Sequence, residues 1–451
     1  MMKRKIVIPL LVSVALIIIV VSQYPKLYLA TGYGAKCMAT AVFVAERDPQ
    51  MVKLTDLNYS IVKYTQNIVD YENKSVTSSF FGLAKQTAVY REGLGCCLIN
   101  DVSADSIRKF TFSPPTIRQK GLWRIAWPNG DLIKDTVYPE IDTVKLKIAV
   151  EAAFDSPYES KKKTAAVVVL YKGELVAEKY DKGFGITPDT RMWGWSMNKS
   201  LINAMVGVMT KKGKLDIKAS APVPQWLNDH RRDITINDLL QMCSGLKWDE
   251  NYGDVSSATN MLYRSNDCYK VAIDVPFQKE PGTEWNYSSG SANILSGIIR
   301  TLTGNDLIYH ELPYREIFNK IGISSMIMET DADGNFIGSS YGYATARDWS
   351  RFGLLYYNDG IWKGDTILPK GWVNYTRTPA VPSKGEYGAL FWLNQSKKLP
   401  DVPEDMFTCQ GHRGQRVFII PSRNLVVVRL GFSEEDFCHN DFLKGILASI
   451  K

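Results

Sequence analysis

Ser196 and Lys199 have the residue types and the spacing of a nucleophile and its activating base. They stand three residues apart at the head of an apolar stretch whose periodicity predicts a helix, so their side chains share one face. A partly desolvated lysine held against a hydroxyl can lose its proton near neutral pH and activate that hydroxyl. The pair therefore predicts acyl transfer through a covalent intermediate.

The S-x-x-K spacing occurs five times in the chain, so the surrounding sequence has to separate the copies. Three lysines follow Ser160 and are typical of a solvated loop, whereas the glycine after Ser244 favours a turn. Ser196 is followed by apolar residues at helical spacing, and cations and a glycine at 211–213 predict the end of that helix. The five copies begin at Ser60, Ser106, Ser160, Ser196 and Ser244.

Tyr287 is the candidate for moving protons between the nucleophile and the leaving group, which acyl transfer also requires. It stands on a loop rich in glycine and serine, just before a helix predicted to begin near Ala292. A tyrosine beside an ammonium can act as an acid or a base. The alternative is a tyrosine that packs beneath the loop.

A glycine-rich segment at 411–415 enters a predicted strand and is the third candidate element. Its glycines would let a substrate approach the backbone closely. The backbone amides of Gln415 and Ser196 could then form an oxyanion hole. The alternative is a glycine-rich strand entry with a surface histidine, His412.

The elements that must position these residues predict an α+β fold. Strand patterns occur on both sides of a mainly helical stretch that runs from Ser196 to about Asn358. We therefore expect one antiparallel sheet built from both ends of the catalytic region, with a helical subdomain inserted. The strands are predicted at 165–171, 175–178, 388–393, 415–420 and 425–431, and helices at 143–154 and 437–449.

The N-terminus predicts export. Three basic residues at 3–5 precede an apolar run from Ile6 to Val21, and such a positive flank stays in the cytoplasm. We interpret residues 1–25 as an uncleaved signal anchor. The possible cleavage site at 28–30 has a bulky residue where signal peptidase sites have a small one. The rest is then expected on the periplasmic side of the inner membrane, or secreted if the signal is cleaved.

The region between the predicted anchor and the catalytic domain has no identifiable chemistry. Residues 26–131 are interpreted as an accessory region, with strand-like alternation at 41–44 and 87–90, and residues 132–451 as the catalytic domain. The net charge of +7 is mild for 451 residues and forms no basic stripe, which argues against nucleic-acid binding.

The seven cysteines fit an oxidising compartment, in which they can pair. The expected local disulfides are Cys243 with Cys268 and Cys409 with Cys438. Cys37 would pair with Cys96 or Cys97, which leaves one thiol over. The absence of C-x-x-C and the dispersal of the four histidines argue against a metal site.

Taken in order and spacing, these elements resemble the serine β-lactamase and penicillin-binding-protein superfamily, specifically its class C-related branch. That branch includes esterases, D-amino-peptidases and 6-aminohexanoate-dimer hydrolases. The resemblance runs from about Leu132 to the C-terminus and includes phrases that flank the motifs. Those phrases stand at 212–216, 234–240, 280–283 and 343–348.

The resemblance implies an α/β sandwich with an antiparallel sheet between helices, an all-α subdomain beside it and no cofactor. It implies that Ser196 forms the acyl-enzyme, that Lys199 is its partner and that Tyr287 is the tyrosine of the family's Y-x-N motif. The segment His412-Arg413-Gly414 stands where class C enzymes have K-T-G.

Two departures from the family pattern argue against an efficient β-lactamase. Ser289 replaces the asparagine that orients the substrate amide, and His412 replaces the lysine that binds the β-lactam carboxylate. Arg413 could instead bind a carboxylate through a bidentate pair of hydrogen bonds, or its side chain could point away from the site. The pattern G-H-x-G-Q is closer to the esterase and dimer-hydrolase members.

The sequence therefore predicts an exported serine hydrolase that cleaves a small-molecule ester or amide. The alternatives are a penicillin-interactive D-amino-peptidase acting on peptidoglycan peptides, and a membrane-tethered binding module that has lost turnover. Four rings could line an apolar pocket, although core packing is the more usual role of each. They belong to Trp193, Trp195, Tyr252 and Trp285.

Overall fold

The protein combines a six-stranded antiparallel sheet with a smaller four-stranded one, and helices cover both. A computed structural model describes residues 2–115, 124–134, 136–156, 161–433 and 437–451, with side chains from Gln23 onward. The described helices are α1 (Met2–Phe43), α2 (Pro49–Leu54), α3 (Ala104–Arg108), α4 (Thr143–Ala152), α5 (Asn198–Lys211), α6 (Ile236–Leu240), α7 (Ser257–Arg264), α8 (Cys268–Ile273), α9 (Ser289–Thr303), α10 (Asp306–Pro313), α11 (Ala346–Tyr357), α12 (Trp372–Thr376) and α13 (His439–Leu447). The described strands are β1 (Thr65–Asp70), β2 (Ser75–Phe80), β3 (Leu83–Arg91), β4 (Gly95–Ile99), β5 (Thr164–Tyr171), β6 (Glu174–Tyr180), β7 (Met192–Trp193), β8 (Ile327–Met328), β9 (Gly342–Ala344), β10 (Ile361–Trp362), β11 (Asp365–Thr366), β12 (Trp392–Leu393), β13 (Phe407–Gly411), β14 (Gln415–Ile420) and β15 (Leu425–Gly431).

The main sheet is closed by both ends of the catalytic region, as the sequence predicts. Its order is β12-β13-β14-β15-β5-β6, and β15 pairs antiparallel with β5 so that Val427 lies opposite Val169. Every residue of β5 is buried, because helices cover both faces. Val168 points into the larger core and Val169 into the smaller core beneath α4 and α13, which is the alternation expected of a strand.

The N-terminal helix is longer than the sequence predicts. Instead of ending near Pro25, α1 continues to Phe43, so the strand expected at 41–44 is wrong. A short apolar run cannot be assigned to helix or strand by periodicity alone, which explains the error. The helix packs closely on the four-stranded sheet, where a Cβ atom at Gly34 would come within 2.8 Å of Ser78 Oγ.

A buried ion pair fastens α1 to the rest of the molecule. The Lys36 ammonium contacts the Glu329 carboxylate, and their side chains are 2% and 0% exposed. The other oxygen of Glu329 accepts hydrogen bonds from Thr40 Oγ1 at 2.9 Å and from the Cys96 amide at 2.6 Å. These contacts join α1, β4 and the segment after β8 at one point.

The predicted anchor over residues 1–25 falls almost entirely on 1–22, whose side chains lie outside the described residues. Among the described residues, no helix has both the length and the apolar character needed to cross a membrane.

The predicted disulfides are wrong, because all seven cysteines are free. The thiol of Cys243 donates to Gln241 O at 3.3 Å and that of Cys268 to Met261 O at 3.5 Å. Cys409 is fully buried in β13, whereas Cys438 is exposed. A disulfide needs two closely placed, correctly oriented Cβ atoms, and sequence spacing does not supply that information.

Candidate active site

The candidate nucleophile lies on a tight turn between a strand and a helix. β7 pairs with β9 and leads into a 3-10 turn, Trp195–Met197, which continues directly into α5. Trp195 has φ +52°, a left-handed conformation that is rare for a bulky residue. Its ring stacks on that of Trp193 at 3.5 Å between centroids, and this packing holds the turn. Ser196 is left partly exposed at its apex.

Lys199 is brought beneath Ser196 by the first turn of α5. The lysine is 1% exposed, and its Nζ atom lies 3.0 Å from Ser196 Oγ. It also lies 3.1 Å from Ser289 Oγ and 3.2 Å from Ser339 O. A neutral amine with these three neighbours can accept the Ser196 proton while it donates to the other two oxygens.

Ser289 occupies the position of the motif asparagine and connects Lys199 to a carboxylate. Its Oγ atom lies 2.5 Å from Glu250 Oε1, and its amide donates to Glu250 Oε2 at 2.8 Å. The Tyr252 hydroxyl contacts the same Ser289 Oγ at 3.0 Å and Glu250 Oε1 at 2.9 Å. The negative charge of Glu250 is thus one hydroxyl away from Lys199.

Sequence reasoning does not find Glu250, because the residue belongs to no spacing motif with Ser196 or Tyr287. Its position in an acidic and aromatic run at 248–252 is the available signal. Tyr252 itself stays protonated near neutral pH, because desolvation and the Glu250 carboxylate raise its pKa well above the usual value. It is therefore a hydrogen-bond donor in this site.

The ring face of Tyr287 lies against the Lys199 Nζ atom. The ring centroid lies 4.7 Å from Lys199 Nζ, a distance at which a cation is attracted to an aromatic face. The ring also packs on Trp392 at 5.3 Å and on Tyr387 at 5.8 Å between centroids. Within the described part of the chain, no side-chain hydrogen bond engages its hydroxyl, which leaves that group available to a substrate.

The segment 411–415 lies directly against the nucleophile's turn. A Cβ atom at Gly411 would overlap the carbonyl oxygen of Gly194 and lie 3.1 Å from Trp195 Cβ, so the approach requires a glycine. The same Cβ would lie 3.0 Å from Gln415 Cβ, which places Gln415 at this edge as well.

Three predicted binding residues of this segment have structural contacts instead. Arg413 is buried and points away from Ser196, donating to Asp56 O at 2.8 Å and to Phe432 O at 2.9 Å. The Gln415 side chain pairs with the backbone of Gly431, so only its own backbone remains for an oxyanion hole. Gly414 packs against the Arg429 guanidinium.

His412 is the residue of this segment that reaches the cavity beside Ser196. His412 is exposed where the cavity opens to solvent, and its ring makes an edge-to-face contact with the ring of Trp195 at 5.2 Å between centroids. Desolvation by these surroundings, with Arg413 and Arg416 nearby, lowers the pKa of His412 to about 4. The imidazole is therefore neutral at pH 7.

A cavity of about 460 Å³ opens beside the nucleophile. Trp195, Ser196, Tyr252, Ser340 and His412 line one side of it. Trp193 lies beneath Trp195 and Trp285 packs beside Tyr287, so two of the four candidate rings face the cavity and two do not. Within the described residues, no group of three histidine, cysteine or acidic side chains is placed to hold a metal ion.

Comparisons with known proteins identify the family of this chain. A family model described as Beta-lactamase matches residues 150–434. The 6-aminohexanoate-dimer hydrolase of Paenarthrobacter ureafaciens is 24% identical over 326 residues, which cover 64% of this chain and 78% of the relative.

Two solved structures share the fold at low sequence identity. A family VIII carboxylesterase is 17% identical with a TM-score of 0.53, over 70% of this chain and 98% of that one. A penicillin-binding protein homolog from Caulobacter crescentus is 14% identical with a TM-score of 0.54, over 68% of this chain and 97% of that one.

Proposed function

Because the chain belongs to the beta-lactamase family and is a serine hydrolase, we propose that it cleaves an ester or amide through an acyl-enzyme on Ser196. The observation that carries the proposal is the 3.0 Å contact between the buried Lys199 Nζ and Ser196 Oγ at the wall of a cavity. That contact provides a nucleophile, a base for its proton and space for a substrate.

In the first half of the proposed reaction, Ser196 Oγ bonds to the substrate carbonyl carbon and its proton passes to Lys199. The carbonyl oxygen becomes an oxyanion, to which the backbone amides of Ser196 and Gln415 would donate. The bond to the leaving group then breaks, and that group takes a proton from Lys199 or Tyr287. Water removes the acyl group by the reverse route.

The environment of His412 supports a substrate that carries no charge on the part that lies beside this imidazole. A neutral imidazole offers no charge to a carboxylate, whereas the lysine of K-T-G does. The proposal therefore favours an ester or a linear amide over a penicillin or a D-peptide that carries a free carboxylate.

We also propose that the protein is exported and held at the outer face of the inner membrane. The basic residues at 3–5 and the apolar run from Ile6 to Val21 support this proposal. Fractionation of cells that express the full chain tests it, because recovery in the cytosolic fraction would contradict it.

The proposed function is tested with p-nitrophenyl acetate and the Ser196→Ala variant of the full-length protein. We expect the variant to lose all turnover above background while its melting temperature stays within about 2 °C of wild type, since loss of one partly exposed hydroxyl leaves the apolar core unchanged. Intact mass after mixing with the ester should show an acyl adduct on wild type and none on Ser196→Ala. Equal turnover by both proteins would refute the assignment. Lys214→Ala, at an exposed lysine, is a matched control for surface substitution.

A further inference from the structure

The cavity beside Ser196 has a second wall that lies outside the residues matched by the family model. That match begins at residue 150, whereas the far side of the cavity comes from α1 and from residues 59–62. The N-terminal region, in which the sequence shows no chemistry, thus forms half of the space next to the nucleophile.

The α1 residues of this wall form a single helical face. Residues 23, 26, 27, 29, 30 and 33 line the cavity, and each lies three or four residues from another member of the set. Polar side chains come first along the helix, and Leu27, Ala30 and Tyr33 follow. The Tyr33 ring stacks on that of Trp195 at 5.6 Å and 16°, so the apolar face leads from the mouth to the nucleophile's turn.

The remaining part of the second wall is mainly apolar, with Ser60 as its polar member. A short 3-10 helix, Ser60–Tyr64, presents Ile61 and Val62 to the cavity, and Tyr59 precedes it. The rings of Tyr59 and Tyr33 meet edge to face at 5.4 Å between centroids. A space of about 460 Å³ with such walls is within the usual range for sites that bind small apolar ligands.

The position of the proton-transfer groups indicates which half of a substrate fits here. The leaving group must face Lys199 or Tyr287, because one of them delivers its proton. Neither residue lines this cavity, whereas Ser196 does. The cavity therefore lies on the acyl side of the reacting carbonyl.

We propose that the cavity binds the acyl part of the substrate as an extended aliphatic chain, and that α1 and residues 59–62 select for it. The inference rests on the proposed function and names its substrate class. As the bond from Ser196 Oγ to the carbonyl carbon forms, the bond to the leaving oxygen or nitrogen breaks and the chain stays on the enzyme. Water then releases it as a carboxylate.

The test compares p-nitrophenyl esters from acetate to decanoate with the full-length protein. Burial of each methylene should raise kcat/KM about threefold to fourfold until the cavity is full.

Ile61→Glu places a charge on the wall and should lower the decanoate-to-acetate ratio of kcat/KM about tenfold or more. Ile61 is 42% exposed, so the fold tolerates the change. Ile68→Glu is the matched control, since Ile68 is 69% exposed on β1 and does not line the cavity.

A ratio that rises in wild type and in Ile68→Glu but falls in Ile61→Glu supports the proposal. A wild-type ratio that is flat or falls with chain length, or the same ratio in both variants, overturns it while leaving ester hydrolysis in place.

If no ester is turned over, the amide part of the proposed function remains to be tested with linear amides, and the pocket is tested separately by calorimetry with sodium decanoate and sodium acetate. Binding of decanoate by wild type and Ser196→Ala, weakened about tenfold by Ile61→Glu, would still establish the acyl pocket. Equal heats from decanoate and acetate would refute it.

Discussion

Ser289 connects the candidate base Lys199 to a carboxylate through a single hydroxyl. A hydroxyl can donate to Glu250 and accept from Lys199 at the same time, which couples a carboxylate to the base. Glu250 touches neither nucleophile nor cavity and is therefore a positioning residue. Its contribution should appear in the chemical step rather than in binding.

Glu250→Gln tests this coupling with little change in volume. Each carboxylate oxygen of Glu250 accepts from two donors. Because the amide is uncharged and its nitrogen cannot accept from either pair of donors, we expect kcat for p-nitrophenyl acetate to fall about 10- to 100-fold, as for loss of a hydrogen bond to a charged group. KM and the melting temperature should change little. Glu284→Gln, at an exposed glutamate, should behave like wild type. A rise in KM at constant kcat would contradict the positioning role.

His412 should make the folded protein less stable in acid. Its pKa is lowered to about 4 in the folded protein, from 6.5, so the unfolded chain binds more protons between these values. The stabilisation of the native state relative to a neutral replacement is therefore full above pH 6.5 and declines as pH falls towards 4. We expect the melting temperature of wild type to drop further than that of His412→Gln between pH 7 and pH 4.5. Parallel decreases would show that the imidazole titrates normally.

At the scale of elements, the contact between β13 and the nucleophile's turn determines whether the site can form. Gly411→Ala would drive a Cβ atom into the Gly194 carbonyl and push the strand from Trp195. We expect a loss of about 1–3 kcal/mol of stability, and because a displacement of about 1 Å at a catalytic group costs about 100-fold, a comparable loss of kcat/KM. Gly445→Ala, whose Cβ would lie 3.2 Å from Ala149, is the control. Full activity of Gly411→Ala would show that the turn does not depend on this contact.

The elements that the sequence predicts well are those with strong local patterns. β14 and β15 begin and end at the expected residues, and α4 begins at Thr143 as expected. The sequence misses β13, because polar residues and a terminal glycine interrupt its short pattern. Of the strand expected at 388–393, only Trp392–Leu393 forms.

In the candidate site, too, the features that depend on local sequence are predicted and those that depend on distant residues are not. The spacing of Ser196 and Lys199 is local, and helical periodicity is enough to bring them together. The contact of Ser289 with Glu250 joins residues 39 apart, and the wall of the cavity comes from α1 at the far end of the chain. Periodicity identifies the face of an element but not its partner, so these features become visible only in the fold.

At the scale of the whole molecule, the pair of Lys36 and Glu329 determines how firmly α1 is held. Lys36→Met leaves Glu329 as a buried charge without its partner, which should cost about 3–5 kcal/mol of unfolding free energy in urea titration. Lys36→Met combined with Glu329→Leu should recover part of that loss, because no unpaired charge remains. The exposed pair of Lys270 and Asp274 is the control, and Lys270→Met should cost less than about 1 kcal/mol. Equal costs at the two lysines would mean that the buried pair does not secure the helix.

The same pair imposes an order on biosynthesis. Its two residues are 293 positions apart, so α1 leaves the ribosome long before its partner carboxylate exists. At about 5–20 residues per second, the helix waits roughly 15–60 s for Glu329 to be made. Throughout that interval Lys36 lacks the Glu329 carboxylate, and the face of α1 that will border the acyl cavity lacks the later residues that form the opposite wall. The helix that the chain makes first thus gains its buried ion pair only once Glu329 has been made, and β13, which borders the turn of Ser196, is made later still.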